Sequence, residues 1–327
     1  MTRDLADTVP PEVLEAFGFE RASVEQIATG RFNAHWLAAD GERLAVFRRY
    51  NPARTAAAAA WEQALVEHAA GKGWPVAPPL ATATGATLLD ADGGLWAAMP
   101  YLEGKPAPDD RPARYHIVGR LLGRLHHDLA SFEVAGQRPD FGKTWELDAW
   151  VAAANAGSFN DILAAFTREY PDLGALVRRQ RYRNLRELSR LHYPDLPDLP
   201  VHGDFQRNNL LWADGQLTGV LDFDLSRRDA QVCDLATLLM PGMPLDLRLA
   251  SSLLEGYREV RPLSDTEWEL LVPLARASLL NWVSHLLLGW RLRGGETGGI
   301  ARTMTVRFPA LEVAEPAFVQ LRNGLRV

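Results

Sequence analysis

Residues 201–224 constrain this chain more than any other stretch. They read Val-His-Gly-Asp-Phe-Gln-Arg-Asn-Asn-Leu-Leu-Trp at 201–212 and Leu-Asp-Phe-Asp at 221–224. Between them, apolar runs flank the tetrapeptide Ala213-Asp214-Gly215-Gln216. An Asp-Gly pair between apolar runs predicts a β-hairpin. Such a hairpin returns the chain, so Asp222 comes back beside Asn209 across twelve intervening residues. Three oxygen-bearing side chains, Asp204, Asn209 and Asp222, are therefore tied to one short hairpin and the loop that enters it.

Each has a defined chemical use. A carboxylate in a tight loop, Asp204, can accept a hydroxyl proton or orient the hydroxyl for in-line attack. Asn209 offers a neutral oxygen ligand and Asp222 a charged one. Mg²⁺ takes one or two protein oxygens beside waters and phosphate oxygens, so two such ligands suffice. Phosphoryl transfer needs little more than this positioning and charge neutralisation. Asp and Asn also favour turns, so any one of them alone would read as solvated turn chemistry. The ordered set points to a kinase.

With His-Gly-Asp-x-x-x-x-Asn at 202–209 and Asp-Phe-Asp at 222–224, the sequence resembles the aminoglycoside phosphotransferase-like kinase superfamily. That group includes type II homoserine kinases and choline kinase-like enzymes. The resemblance implies that Asp204 is the catalytic aspartate, that Asn209 and Asp222 are Mg²⁺ ligands, and that ATP and Mg²⁺ are the cofactors. It implies that His202 braces the loop, and that Asp224 lies near the metals or in loop hydrogen bonding. Asp234, in Cys-Asp-Leu-Ala at 233–236, matches a position that anchors the catalytic loop from a following helix. An ordinary helix cap is the competing reading of Asp234. The implied fold is α+β and bilobal, protein kinase-like, with a small N-terminal antiparallel sheet lobe and a larger, mostly helical C-terminal lobe.

Residues 24–50 predict three strands, with turns at Gly30 and at Asp40-Gly41. A glycine in the first turn suits a flap over phosphates, although one glycine falls short of Gly-x-Gly-x-x-Gly. In Ala-Val-Phe-Arg-Arg-Tyr at 45–50, Arg48 falls where the family commonly has a lysine for the phosphates. Arginine keeps the charge but changes the reach and the donor fork. A solvated strand edge is the alternative for Arg48 and Arg49. Thr55–Ala70 has high helix propensity, with Gly71 as terminator. Glu62 and Glu67 are both candidates to pair with Arg48, and Glu62 is favoured. Residues 95–104 read as a strand entering a turn. By resemblance this is the adenine hinge, with Met99 behind the base, the Pro100 carbonyl accepting and the Leu102 amide donating.

Helices are predicted near 114–130, 146–168, 172–192, 233–240, 246–259, 265–290 and 310–323. The turn-rich stretch 104–112 marks a boundary between a nucleotide-binding lobe, 1–102, and a catalytic and substrate-binding helical lobe, 103–327. A formal charge of −6, without a Lys/Arg stripe, argues against a nucleic-acid partner. The basic run at 178–183 reads as a solvated helix face. A lone Cys233 allows no internal disulfide and no zinc motif; burial is its default role. Neighbouring His126 and His127 point about 100° apart on a helix and cannot easily share a metal, so His126 reads as a packing residue. The apolar stretch Leu279–Trp290 is interrupted by polar residues and too short to span a bilayer. A cytoplasmic protein without a membrane partner is expected.

The partner is a small-molecule hydroxyl acceptor. Residues 225–327 contain twelve Arg, no Lys and eleven Asp or Glu, a near-balance that argues against a polycationic antibiotic. Residues 254–264 and 274–277 are similar to helices of type II homoserine kinases. A homoserine-like acceptor would need an arginine for its carboxylate, for which Arg227, Arg228, Arg276, Arg291 and Arg293 are candidates. Aminoglycoside, choline-like or sugar kinases are alternatives within the class. A catalytically silent nucleotide-binding regulatory protein is the alternative outside it. A protein-substrate kinase is disfavoured by the short span between Asp222 and Asp234.

Overall fold

A computed structural model describes residues 8–27, 33–107, 111–134, 136–239, 246–294 and 297–324. The backbone separates into two compact units, Met1–Ala107 with Asn208–Asp222, and Pro108–Arg207 with Phe223–Val327. The first unit thus reaches five residues past the expected boundary at 102, and the hairpin around Asp214-Gly215 groups with it. Pairing of residues 105–106 with that hairpin explains both differences.

The first unit begins with helix α1 (Pro11–Ala16) and strands β1 (Ser23–Ile27), β2 (Ala34–Asp40) and β3 (Arg43–Arg49). Helix α2 (Ala56–Gly71) follows, then β4 (Leu89–Ala91), β5 (Gly94–Pro100) and β6 (Lys105–Pro106). Five strands pair antiparallel in the order β1-β2-β3-β5-β4. Side chains alternate along each strand, and one face buries Trp36, Phe47 and Trp96 against Val13, Phe17 and Phe19. Because β3 is central, Arg48 and Arg49 are not on a sheet edge. Both are buried, and the solvated-edge reading fails. Thr55 caps α2 by accepting from the Ala58 amide at 3.2 Å. The helix includes the expected terminator Gly71 and is capped one residue later at Lys72, ahead of the left-handed Gly73. Sequence periodicity gave no sign of α1 or β4, each too short to display one.

The second unit opens with α3 (Pro112–Leu129), α4 (Ala149–Ala153), α5 (Phe159–Glu169), α6 (Pro171–Arg190) and β7 (Leu199–Val201). The hairpin β8 (Leu210–Ala213) and β9 (Gln216–Val220) returns to the first unit, and β10 (Arg227–Asp229) pairs with β7. Then come α7 (Val232–Leu238), α8 (Leu247–Val260), α9 (Asp265–Arg293), α10 (Gly298–Arg302), a π-helical turn and α11 (Phe308–Gly324). The single helix expected at 146–168 is two. Left-handed Asn155 and Gly157 end the first, and Ser158 with Asp161 forms a capping box for the second.

Helices α3 and α8 pack along each other. A Cβ on Gly119 would strike the Leu253 carbonyl, and one on Gly256 the His116 carbonyl. The two backbones therefore touch, which brings side chains 131 positions apart into one buried cluster. Helix α9 runs for 29 residues and is long and apolar enough to cross a membrane; 72% of its apolar window is buried inside the fold. Leu279–Trp290 is part of the helix expected at 265–290, which extends three residues further to Arg293, and core packing accounts for its composition.

Candidate active site

The His202-Gly203-Asp204 sequence lies in the second unit, at the end of β7. Gly203 has φ +85°, and a Cβ there would collide with the Leu225 carbonyl, so both the conformation and the space demand glycine. His202 is fully buried and lies 4.4 Å from the Phe223 ring centroid. Its Nδ1 accepts from the Asp204 amide at 3.2 Å. The loop is pinned from α7: the Asp234 carboxylate accepts from the His202 amide and the Gly203 amide, each at 2.8 Å. Gln231, not Asp234, stands at the N-cap of α7. The anchoring reading of Asp234 therefore displaces the cap reading.

Behind Asp234 stands a residue that sequence reasoning treated as packing. His126 Nε2 lies 3.1 Å from Asp234 Oδ2, and Nδ1 lies 2.8 Å from the Tyr257 hydroxyl. Burial lowers the His126 pKa below its ordinary 6.5, outweighing the pull of Asp234. Burial alone would raise the Asp234 pKa, but the hydrogen bond from His126 and nearby positive groups hold it below the usual carboxylate value. A neutral imidazole facing an ionised carboxylate must carry its proton on Nε2, so Nδ1 accepts from Tyr257.

This arrangement has a signed pH consequence. The folded state holds His126 neutral, whereas the unfolded chain protonates it near 6.5. Between the lowered folded pKa and 6.5, the unfolded state binds the extra proton, so stability rises with pH in that window. Wild-type thermal midpoints should therefore fall as pH drops below about 6.5, and His126→Gln should flatten that part of the profile. Equal slopes in the two proteins, measured by calorimetry, would contradict the assignment.

The metal-ligand candidates lie in the first unit. Asp214 and Gly215 both have positive φ (49° and 78°), as a tight hairpin turn requires. The Leu221 amide donates to the Asn209 carbonyl at 2.8 Å, so the backbone sets Asp222 next to the partner of Asn209. Asp222 has φ +64°, a left-handed conformation that Asp tolerates better than most residues. Backbone strain of this kind concentrates at functional positions. On β3, Arg48 donates to Glu62 Oε1 at 2.7 Å and to His35 Nε2 at 3.1 Å. Glu67 is exposed on α2, so Glu62 is the partner. Arg54, which carried no motif signal, donates to Glu62 Oε2 at 3.3 Å. Arg49 instead reaches the Asp92 carbonyl on the opposite face. In the hinge candidate, Pro100 pairs with Ala45 and Met99 with Val46; Met99, Pro100 and Leu102 are all half-buried. Gly30 lies outside the described residues.

Three of the five candidate carboxylate-binding arginines are engaged in structure. Arg227 is buried on Asp229, which also accepts from Thr144 and the Tyr193 hydroxyl. Arg228 donates to the carbonyls of Asp198, Phe132 and Val134. Arg276, fully buried, pairs with Glu187 and Glu315. Arg291 and Arg293 are exposed. Cys233 is buried and accepts from Arg227, and Arg183 of the basic run pairs with Glu187, Glu312 and Glu315.

An N-terminal antiparallel sheet and a helical C-terminal region, with an Asp234-clamped His-Gly-Asp loop, give a kinase-like fold. The match of residues 23–269 to the model of the phosphotransferase enzyme family places the chain in that family. Among similar proteins, a homoserine kinase of Polaromonas naphthalenivorans is 30% identical over 230 residues, covering 68% of each chain. A microcompartment-associated aminopropanol kinase superposes with a TM-score of 0.67 at 19% identity, covering 92% of this chain and 94% of that one. An amicoumacin kinase solved in complex with AMP-PNP, Ca²⁺ and Ami gives a TM-score of 0.67 at 17% identity, covering 88% of each chain. The two structural likenesses establish the fold.

Proposed function

We propose that this protein transfers the γ-phosphate of ATP, in the presence of Mg²⁺, to a hydroxyl of a small molecule, with a homoserine-like amino alcohol as the first acceptor class. The observation that carries this reading is the double clamp of Asp234 on the amides of His202 and Gly203. It fixes the backbone that presents Asp204, immediately before the hairpin bearing Asn209 and Asp222. Bound MgATP supplies the phosphoryl group and the divalent charge that neutralises it. Asp204 orients the acceptor hydroxyl and takes its proton. Asn209 and Asp222 would hold the metal: both offer hard oxygens, and two protein ligands match the number that a phosphate-bound Mg²⁺ takes. Arg48, held by Glu62 and His35, would meet the phosphates, and the Pro100 carbonyl and Leu102 amide would bind the base.

The family supports the phosphotransferase reaction, and the amicoumacin kinase complex supports a triphosphate with a divalent metal. The acceptor class draws on two relatives named for small amino alcohols, homoserine and aminopropanol. Removing the charged ligand is a direct test. Asp222→Ala should weaken MgATP binding at least about tenfold, since even groups that merely support metal ligands are worth about 10–100-fold in affinity. Calorimetric titration with and without Mg²⁺ measures this; unchanged affinity would remove Asp222 from the metal site.

A further inference from the structure

The chain just after Asp222 is held by two buried arginines, one of which comes from a distant loop. Residues Phe223–Leu225 form a single 3₁₀ turn, and the Ser226 amide donates to the Phe223 carbonyl at 2.9 Å. The next two carbonyls are each taken by a guanidinium. Arg138 Nη2 donates to the Asp224 carbonyl at 2.8 Å, and Arg227 Nη1 to the Leu225 carbonyl at 2.9 Å. Arg227 is a neighbour in sequence. Arg138 lies 86 positions before Asp224, in the connection between α3 and α4.

The side chain of Arg138 is fixed on several sides. It is 1% exposed, its Nε donates to Asp140 at 2.7 Å, and its guanidinium lies 4.1 Å from the centroid of the Phe141 ring. One planar fork thus serves a carboxylate and a main-chain carbonyl together, which the single ammonium of a lysine does not reproduce. The residue before it keeps the segment in register. The Gln137 side chain donates to the Arg228 carbonyl at 2.7 Å and accepts from the Arg228 amide at 2.8 Å, as a neighbouring strand would. Residues 137–141 therefore strap down the segment that runs from the Asp224 turn into β10. Asp222, at the head of that turn, has φ +64°. Backbone strain of this kind persists only where the surroundings over-determine it, and a charged donor on a buried carbonyl is a strong restraint.

We propose that Arg138 is a positioning residue for the metal ligand Asp222. By holding the Asp224 carbonyl, it keeps the turn, and with it the Asp222 backbone, in the conformation that offers the carboxylate to Mg²⁺. The inference rests on the reading of Asp222 as a ligand and adds to it a residue from outside every motif. Arg138 acts through Asp222, so its effect requires the Asp222 carboxylate. It concerns the metal, so its effect spares nucleotide binding without metal.

The test is calorimetric binding of ATP to the full-length chain, once with Mg²⁺ and once with EDTA; the ratio of the two affinities is the gain from metal. Wild type, Arg138→Met, Asp222→Ala and the double variant are compared, each checked for a cooperative thermal transition. Arg138→Met should cut the gain about tenfold, the scale on which groups that support a metal ligand act, and leave metal-free ATP affinity within about twofold. In the Asp222→Ala background, the same change should cut nothing further. Arg138→Lys keeps the charge beside Asp140 and guards against misfolding of the Met variant; it should still lose part of the gain. Asn184→Ala removes a buried bond from α6 to the Pro273 carbonyl of α9. It should lower the thermal midpoint with the gain unchanged, which separates positioning from general loosening. An unchanged gain in the Arg138 variants, equal losses with and without metal, or a further loss in the Asp222→Ala background would each overturn the positioning role. So would a gain that falls as far in Asn184→Ala as in Arg138→Met. Asp222→Ala with the full wild-type gain would overturn the metal reading itself, and this inference with it.

Discussion

Asp204→Asn is expected to lower turnover about a thousandfold, within the 10²–10⁴ range of a positioned proton acceptor, with MgATP affinity within about twofold of wild type. Asparagine matches the shape of aspartate but cannot take the hydroxyl proton. The loop should survive the change, because the bonds that pin it use backbone groups. Asp234 accepts from the amides of His202 and Gly203, and His202 Nδ1 accepts from the amide of Asp204. Binding and chemistry therefore separate in this variant. Single-turnover phosphoryl transfer and calorimetric MgATP binding, measured on one preparation, check both halves. Turnover comparable with wild type would refute Asp204 as the base.

Asp234→Ala should do the opposite and damage fold and chemistry together. Its carboxylate is 2% exposed and accepts three described hydrogen bonds, from the two loop amides and from His126. Removing it leaves buried donors without their acceptor, at about 1–3 kcal/mol for each such group. A total loss of about 3 kcal/mol or more is expected once partial relaxation is allowed for. At roughly 2 °C per kcal/mol for a chain of this size, the thermal midpoint should fall by about 6 °C or more. Turnover should drop even well below the new midpoint, since the loop that presents Asp204 loses its anchor. A variant that loses stability but keeps full turnover at low temperature would show that Asp234 supports the fold and not the loop.

The two effects differ because the two aspartates sit at different depths of the same device. In the proposed reaction Asp204 would meet the acceptor, whereas Asp234 holds the loop from within α7. His126 and Tyr257 continue the support into α3 and α8, and the close backbone crossing at Gly119 and Gly256 allows them to meet.

Local chemistry was readable in the sequence. Asp214-Gly215 announced the hairpin, and the turn has the two positive φ angles that the pair supplies. Counting back from Pro75-Val76 favoured Glu62 over Glu67, and Arg48 pairs with Glu62. The long helices α3, α6, α8 and α9 were visible from their apolar periodicity. Contacts set by tertiary packing were not. His126 looked like one more apolar-face residue, because its partners lie 108 and 131 positions away. Arg227, Arg228 and Arg276 looked available to a ligand until their buried or backbone partners were seen. Arg54 had no motif to mark it, since its contact with Glu62 is made only in the fold. The break between α4 and α5 was legible in principle: Asn155, Gly157 and the Ser158–Asp161 box are ordinary stop and start signals, outweighed by the apolar periodicity around them.

The central claim is acceptor-dependent phosphoryl transfer, and ADP release from MgATP tests it most directly. Purified protein would be offered L-homoserine, aminopropanol, choline, ethanolamine, hexoses and kanamycin, with Asp204→Asn as the blank. Release that depends on a small amino alcohol and vanishes in the blank is the predicted result. MgATP binding without release on any acceptor, or release that Asp204→Asn retains, would contradict it.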